Sequence, residues 1–360
     1  MNDVLNHLDN QVEAALVTAL MHDPENVVAL MNMGRHFEAH DRDQEADGMY
    51  RNALAVQPDH PEALLALGRL LHLYPAFRDE AIAFLQRTIE IDPSLTAAYA
   101  PLASSLKSVG RAEEGLAVLR AWVAAAPLDA VALHILAASS HEDVPDRASD
   151  AFVVKTFDEG ADRFDALLRD TLNYQAPEAL AAHLRAVVTD IAPSSLDVLD
   201  VGCGTGLCAP LLRPLARRLV GVDLSANMIA KAHTRGGYDA LETAELTAYL
   251  AAHNDEFDLL FSADTLCYFG RLDEVFALSL ASLRPGGWLA FTVERLAAEA
   301  DPQREDFVLS STGRYQQSAE YVRAALHRAG FAPPNIIETQ LRIELAHPVI
   351  GLAVVVQKPA

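Results

Sequence analysis

Residues 198–212 read VLDVGCGTGLCAPLL, a short apolar run followed by glycines at 202, 204 and 206, with Asp200 leading the loop. Glycine reaches positive φ without steric cost and lets a ligand come close to main chain, so three at alternate positions mark a loop that wraps something tightly. The run before it reads as a buried strand. A dinucleotide fingerprint, G-x-G-x-x-G, would need its third glycine at position 207, which is Leu207. The Gly-Lys-Ser/Thr ending of a phosphate-cradling loop is absent as well. A carboxylate at the head of the loop is wrong for pyrophosphate and right for a cationic amino group.

Working outward, the next strand-like run, RLVGVD, ends in Asp223, 17 residues beyond Gly206. An acid at the end of a second strand can accept hydrogen bonds from both hydroxyls of a ribose. A nucleoside, a positive charge and no phosphate together describe S-adenosylmethionine. Strands are expected near 197–201, 218–222, 240–244, 257–262 and 287–293, separated by helical or loop stretches. NIIETQLRIELA (335–346) and VIGLAVVVQK (349–358) read as a closing hairpin. This alternation implies an α/β Rossmann-like domain with a mostly parallel, seven-stranded sheet and a ligand site beyond the carboxyl ends of its strands.

The first 140 residues repeat. Pro24, Pro58, Pro93 and Pro127 are spaced 34, 35 and 34 apart, and Gly34 and Gly68 are also 34 apart. Leu30, Met33, Gly34 and Phe37 fall on one helix, and Ala46, Tyr50 and Ala53 on a second. Leu64, Leu67, Gly68 and Leu71, then Ala81 and Leu85, repeat them; Tyr99, Leu102, Ala103, Leu106 and Leu119 do so again. Small residues let two antiparallel helices approach, and large ones fill the groove of the next pair. The pattern resembles the tetratricopeptide-repeat family, which implies an all-α solenoid whose concave face binds a peptide or protein. The polar SSHEDVPDRASD (139–150) then places the domains at 1–141 and 151–360 with a linker over 142–150. Phe157, Ala161, Phe164, Leu168 and Leu172 recur at helical spacing, so residues 151–190 are expected to form lid helices.

Composition narrows the partners. The 360 residues carry a formal net charge of −22, divided as −10 over residues 1–140 and −12 over the rest. So acidic a chain repels phosphate backbones, which argues against nucleic acid. No apolar run reaches the roughly 18–20 residues of a membrane span, and the first residues carry acids where a signal peptide carries Lys or Arg. Three cysteines, Cys203, Cys208 and Cys267, cannot pair fully and suit a reducing, cytoplasmic setting. None of the 13 histidines has the spacing of a metal-ligand pair, so no metal is expected.

Taken together, VLDVGCGTG, VGVDLSANMIAKA, FDLLFSADTLCYF and LRPGGWLAF resemble, in order and spacing, the successive motifs of class I S-adenosylmethionine-dependent methyltransferases. That resemblance covers about residues 150–360. With the lid sequence FDEGADRFDALL and the tail motif STGRYQQSAEYV, nearly the whole chain resembles a bacterial group of methyltransferases carrying N-terminal tetratricopeptide repeats. The resemblance implies that Gly202, Gly204 and Gly206 lie against the methionine part of the cofactor and Asp200 near its amino group. Asp223 would hold the ribose, Leu224, Met228, Glu245 and Leu246 the adenine, and Ala263 would offer backbone. Phe157 and Tyr174 of the lid would close over it.

For the acceptor, Tyr268 and Asp264 follow the fourth strand, and Arg314 with Tyr315 suits an anionic or aromatic substrate. The related group has a His two residues after Gly-Arg-Tyr; here that position is Gln317. The expected reaction is methyl transfer to an oxygen or nitrogen acceptor, with the repeats recruiting a peptide, protein or carrier-bound substrate. Two alternatives stay open: a quinone- or acyl-type small molecule with repeats used for homodimerisation, and a non-catalytic scaffold.

Overall fold

The computed structural model describes residues 2–161, 164–166, 168, 172–189, 191–296, 306–344 and 347–360. The chain divides into two compact units, residues 1–136 and 137–360.

The first unit is helical. Its helices are α1 (Asn2–His22), α2 (Val27–Ala39), α3 (Asp43–Val56), α4 (Pro61–His72), α5 (Arg78–Ile91), α6 (Tyr99–Ser108) and α7 (Ala112–Ala125), and α8 (Ala130–Ser140) begins within it. Asn26 accepts from the Ala29 amide at 3.0 Å to start α2, and His60 with Pro61 starts α4 in the same way. Helices α2 and α3, α4 and α5, and α6 and α7 pack in pairs, and each pair packs on the next. Every large residue of the 34-residue pattern is buried, with Tyr50, Leu67, Leu85, Leu102 and Leu106 fully so. The reason for glycine at 34 is steric, since a Cβ there would stand 2.4 Å from the Tyr50 ring.

The second unit is built on a mixed sheet. Its strands are β1 (Leu196–Val201), β2 (Ala216–Asp223), β3 (Ala240–Thr243), β4 (Phe257–Ser262), β5 (Leu283–Arg295), β6 (Phe307–Leu309), β7 (Tyr315–Gln317), β8 (Asn335–Glu344) and β9 (His347–Gln357). The order is β3-β2-β1-β4-β5-β7-β6, and β9 also pairs antiparallel to β5 and to β8. Among the described residues the sheet thus has nine strands in place of the expected seven. The five expected parallel strands and the closing hairpin are present, apart from residues 345–346, which lie outside the described residues. The extra pair is the β6–β7 hairpin, turned by Gly313 at φ +81°.

Two apolar layers cover the sheet. One holds Leu199, Val201, Phe257, Phe276 and Phe291 with α14 (Leu246–Ala252), α15 (Asp273–Ser282) and α16 (Ala319–Ala329). The other holds Val198, Leu219, Leu259 and Phe261 with α11 (Ala176–Val187) and α12 (Ala209–Leu212). From β1 the chain runs to β2 on one side and later to β4 on the other, which opens a crevice beyond their carboxyl ends.

Part of the stretch expected as linker is stitched into this unit. The Asp146 carbonyl accepts from the amides of Gly270 (2.8 Å) and Arg271 (2.9 Å), and the Ala148 amide donates to Tyr268 O at 2.8 Å. Ser149 then caps α9 (Asp150–Gly160), which is followed by α10 (Phe164–Ala166). Residues 162–163, 167, 169–171 and 190 of the expected lid lie outside the described residues. Among the described residues, no helix is long and apolar enough to cross a membrane.

Candidate active site

The glycine loop begins where β1 stops pairing. Gly202, Gly204 and Gly206 take φ of +71°, +53° and +87°, the left-handed region that side chains avoid. The amides of Gly202 and Cys203 both donate to Val222 O, at 2.8 and 2.9 Å, so the loop folds across the end of β2. A Cβ on Gly202 would meet Thr265 Oγ1 at 2.3 Å.

Asp223, the last residue of β2, organises the other side. Its Oδ2 accepts from the Gly204 amide at 2.9 Å and its Oδ1 from the Ser225 amide at 2.8 Å. Burial pushes its pKa above the usual carboxylate value, while the amides of Ser225, Gly204 and Leu224 pull the other way. Ser225 caps α13 (Ala226–Arg235) by accepting from the Met228 amide.

One cavity occupies this crevice. Phe157, Tyr174, Gly202, Gly204, Asp223, Leu224, Met228, Glu245, Leu246, Ala263, Asp264, Tyr268 and Arg314 all line it. Glu245 has a second task, since it caps α14 through the Ala248 amide at 2.8 Å.

Three expected site residues lie elsewhere. Asp200 is fully buried behind the loop, where its Oδ2 accepts from the Tyr238 hydroxyl at 2.6 Å and its Oδ1 has no partner among the described residues. Gly206 is buried against Tyr238 and Ala232. Tyr315 is fully buried among Ala137, Ala138 and Leu309, and its hydroxyl donates to Pro145 O at 2.8 Å. Gln317 is buried too, its amide donating to Phe269 O at 2.6 Å.

Asp200 has a consequence for stability. Burial raises its pKa to about 7, against the Tyr238 hydrogen bond and with Asp223 adding to the rise. In the unfolded chain the same carboxyl titrates near 3.9. Between those values the unfolded chain sheds a proton that the native state keeps, so this group's contribution to stability is full below about pH 4 and falls as pH rises towards 7. The slope is about 1 kcal/mol per pH unit. Melting curves between pH 4.5 and 8 should show wild type losing stability relative to Asp200→Asn; parallel curves would refute the assignment.

The described part of the lid is tied down at two points. Asp158 Oδ1 accepts from Ser225 Oγ at 2.5 Å, and the Asn227 side-chain amide donates to Asp158 O at 3.2 Å. Asp165 accepts from Thr205 Oγ1 at 2.5 Å and pairs with Arg235, whose Nε donates to Thr205 O at 2.8 Å. The Phe157 ring meets Tyr268 edge-on, with centroids 5.5 Å apart.

The far end of the cavity is charged, and here sequence reasoning missed a residue. Arg342 on β8 is 1% exposed, donating to both oxygens of Asp264 (3.0 and 2.9 Å), to Glu344 (3.1 Å) and to Glu294. Asp264 itself sits at φ +59°, an unusual conformation for a side-chain-bearing residue. Arg314 pairs with Glu344, and its Nε points at the Tyr268 hydroxyl at 3.4 Å. Burial works against the charge on Arg314, yet the neighbouring carboxylates of Asp264 and Glu344 outweigh it and hold the group ionised. Burial also pushes Tyr268 up to about 12, so it carries its proton at neutral pH.

These features meet known proteins in one region. Residues 199–291 match the family model described as "Methyltransferase domain". The chain is 30% identical over 202 residues to the biotin biosynthesis bifunctional protein BioCD of Bordetella avium, covering 55% of this chain and 40% of that protein. It is 32% identical over 130 residues to a malonyl-[acyl-carrier protein] O-methyltransferase of Acetivibrio thermocellus, covering 34% and 46%. With a ubiquinone biosynthesis O-methyltransferase of Thiobacillus denitrificans it shares 30% identity over 149 residues, covering 40% and 60%. The chain thus spans about half the length of the curated relatives it matches. The glycine loop and the acid ending β2 both lie within the matched span, and the second unit contains a methyltransferase domain.

Proposed function

We propose that this chain transfers the methyl group of S-adenosylmethionine to an oxygen or nitrogen acceptor. The observation that carries the reading is Asp223, whose carboxylate is fixed by two backbone amides at the rim of a cavity that also takes in Ala263 and Asp264. Gly202 and Gly204 give close approach to main chain, Asp223 accepts from the ribose hydroxyls, and Leu224, Met228 and Leu246 give the adenine an apolar seat. S-adenosylmethionine brings an activated methyl on a sulfonium, so the protein's task is to align and dry the reacting pair. Orientation of this kind is worth roughly 7–11 kcal/mol.

The first unit is, on this reading, a tetratricopeptide-repeat array that recruits a peptide, protein or carrier-bound substrate. Its three helix pairs at a 34- to 35-residue spacing, with the pattern residues buried, support it. The three cysteines, buried and unpaired, fit a cytoplasmic setting. A second reading, a small-molecule acceptor, is favoured by the relatives, which are named for acyl-carrier and ubiquinone O-methylation.

Incubating the full-length protein with S-[methyl-³H]adenosylmethionine and a cell extract, then separating the products by size, distinguishes the two. Label on macromolecules supports recruitment through the repeats, and label on small molecules the second reading. An extract that acquires no label above background would contradict methyl transfer itself.

A further inference from the structure

We propose that the methyl acceptor is a carboxylate, held at the charged end of the cavity by Arg314, Tyr268 and Tyr174 and converted to its methyl ester. The inference rests on the methyltransferase reading above and adds the acceptor's chemistry.

Hydrogen bonds left open point to the acceptor. Among the described residues, Arg314 spends Nη1 on Glu344 and Nε on the Tyr268 hydroxyl, and Nη2 has no partner. The Tyr268 hydroxyl receives that bond and donates none, and the Tyr174 hydroxyl has no partner. All three residues line the cavity. Donors facing a common space without acceptors call for a ligand group rich in lone pairs, and a guanidinium among them favours an anion. Glu294 and Glu344, which balance the two arginines, do not line the cavity; of the acids in this network only Asp264 does, and Arg342 holds both its oxygens. The positive edge of the network therefore faces the ligand and its negative edge faces away.

At the same end of the cavity the lining carboxylate, Asp264, has both oxygens engaged by Arg342. Among the described lining residues there is no histidine or lysine. Burial raises both tyrosines well above neutrality, so they donate protons and do not take them. An alcohol or an ammonium group would have to lose a proton here with only the Arg342-bound Asp264 carboxylate, among the described lining residues, to receive it. A carboxylate is already ionised at neutral pH. Its oxygen forms a bond to the methyl carbon as the carbon–sulfur bond breaks, and that electron pair stays on sulfur. The products are a methyl ester and a neutral thioether, with no proton released.

The test uses full-length protein, S-[methyl-³H]adenosylmethionine, and a panel of mono- and dicarboxylic acids alongside their amides and alcohols, with deproteinised cell extract as a second acceptor source. Mild alkali releases methyl esters as volatile tritiated methanol and leaves N-methyl and ether methyl groups in place. Alkali-volatile label formed with acids and not with their amides is the expected result; alkali-stable label overturns the proposal. If no label is transferred while calorimetry shows S-adenosylmethionine bound, the carboxylate proposal fails with the cofactor site intact. If the cofactor does not bind either, the methyltransferase reading has failed first. Arg314→Gln should lower kcat/KM for the acid about 100-fold, mainly through KM, with cofactor affinity unchanged. Tyr174→Phe, which removes one hydroxyl and leaves the ring, should raise KM about 5- to 10-fold. Unchanged KM in both variants would remove these donors from the acceptor site.

Discussion

Asp223→Ala is expected to weaken S-adenosylmethionine binding by about 100-fold or more. Two effects combine. A carboxylate that accepts from both ribose hydroxyls makes two charge-assisted hydrogen bonds, each worth roughly 1.5–3 kcal/mol. The same carboxylate also holds the amides of Gly204 and Ser225 at 2.9 and 2.8 Å, so alanine frees the glycine loop from the start of α13. Asp223→Asn keeps one acceptor oxygen and should fall between alanine and wild type. Titration calorimetry checks the series; equal affinities across it would take Asp223 out of the site.

Gly202→Ala should cost about 3 kcal/mol or more of folding stability. The left-handed backbone at φ +71° penalises any side chain by roughly 1–3 kcal/mol. The new methyl would also lie 2.3, 2.4 and 2.8 Å from Oγ1, Cγ2 and Cβ of Thr265. Turning Thr265 about χ1 cannot relieve a contact with its own Cβ, and its hydroxyl is bonded to Val201 O at 3.2 Å. Gly204→Ala is the internal control. It has a comparable φ of +53° but nothing within 4 Å of the new Cβ, so only the backbone term of about 1–2 kcal/mol remains. Thermal melts should therefore show position 202 much more damaged than position 204, by roughly 2–4 °C for each kcal/mol of difference. Equal losses would mean that the packing of Thr265 on the loop is not what demands glycine.

The parts of this structure that the sequence made legible are those with a local physical signature. The glycine loop, Asp223 and the strands around them are written within about 25 residues, and the 34-residue period is visible wherever small residues recur between large ones. What escaped depends on direction and on distant partners. Arg314 and Tyr315 are chain neighbours where the turn runs into β7 (Tyr315–Gln317), and successive side chains entering a strand turn to opposite sides. One lines the cavity and the other is buried among Ala137, Ala138 and Leu309, so a motif naming both could be only half right.

Asp200 heads the loop in sequence, yet its side chain is taken by Tyr238, 38 residues on. Arg342 sits in QLRIE, where alternation with apolar residues reads as a solvent-facing strand position. It is buried because Asp264, Glu294 and Glu344 converge on it from the loop after β4, from β5 and from β8 itself. The β6–β7 hairpin, with three residues in each strand, is too short for any alternation to show.

A crystal of the protein soaked with S-adenosylhomocysteine tests most directly what the crevice beyond β1 and β2 is built to hold. Density for the adenosine should run along Gly202 and Gly204, with both ribose hydroxyls within hydrogen-bonding distance of Asp223 and the base against Met228. A crevice that stays empty at saturating ligand, or that takes up a nicotinamide dinucleotide in its place, would contradict it.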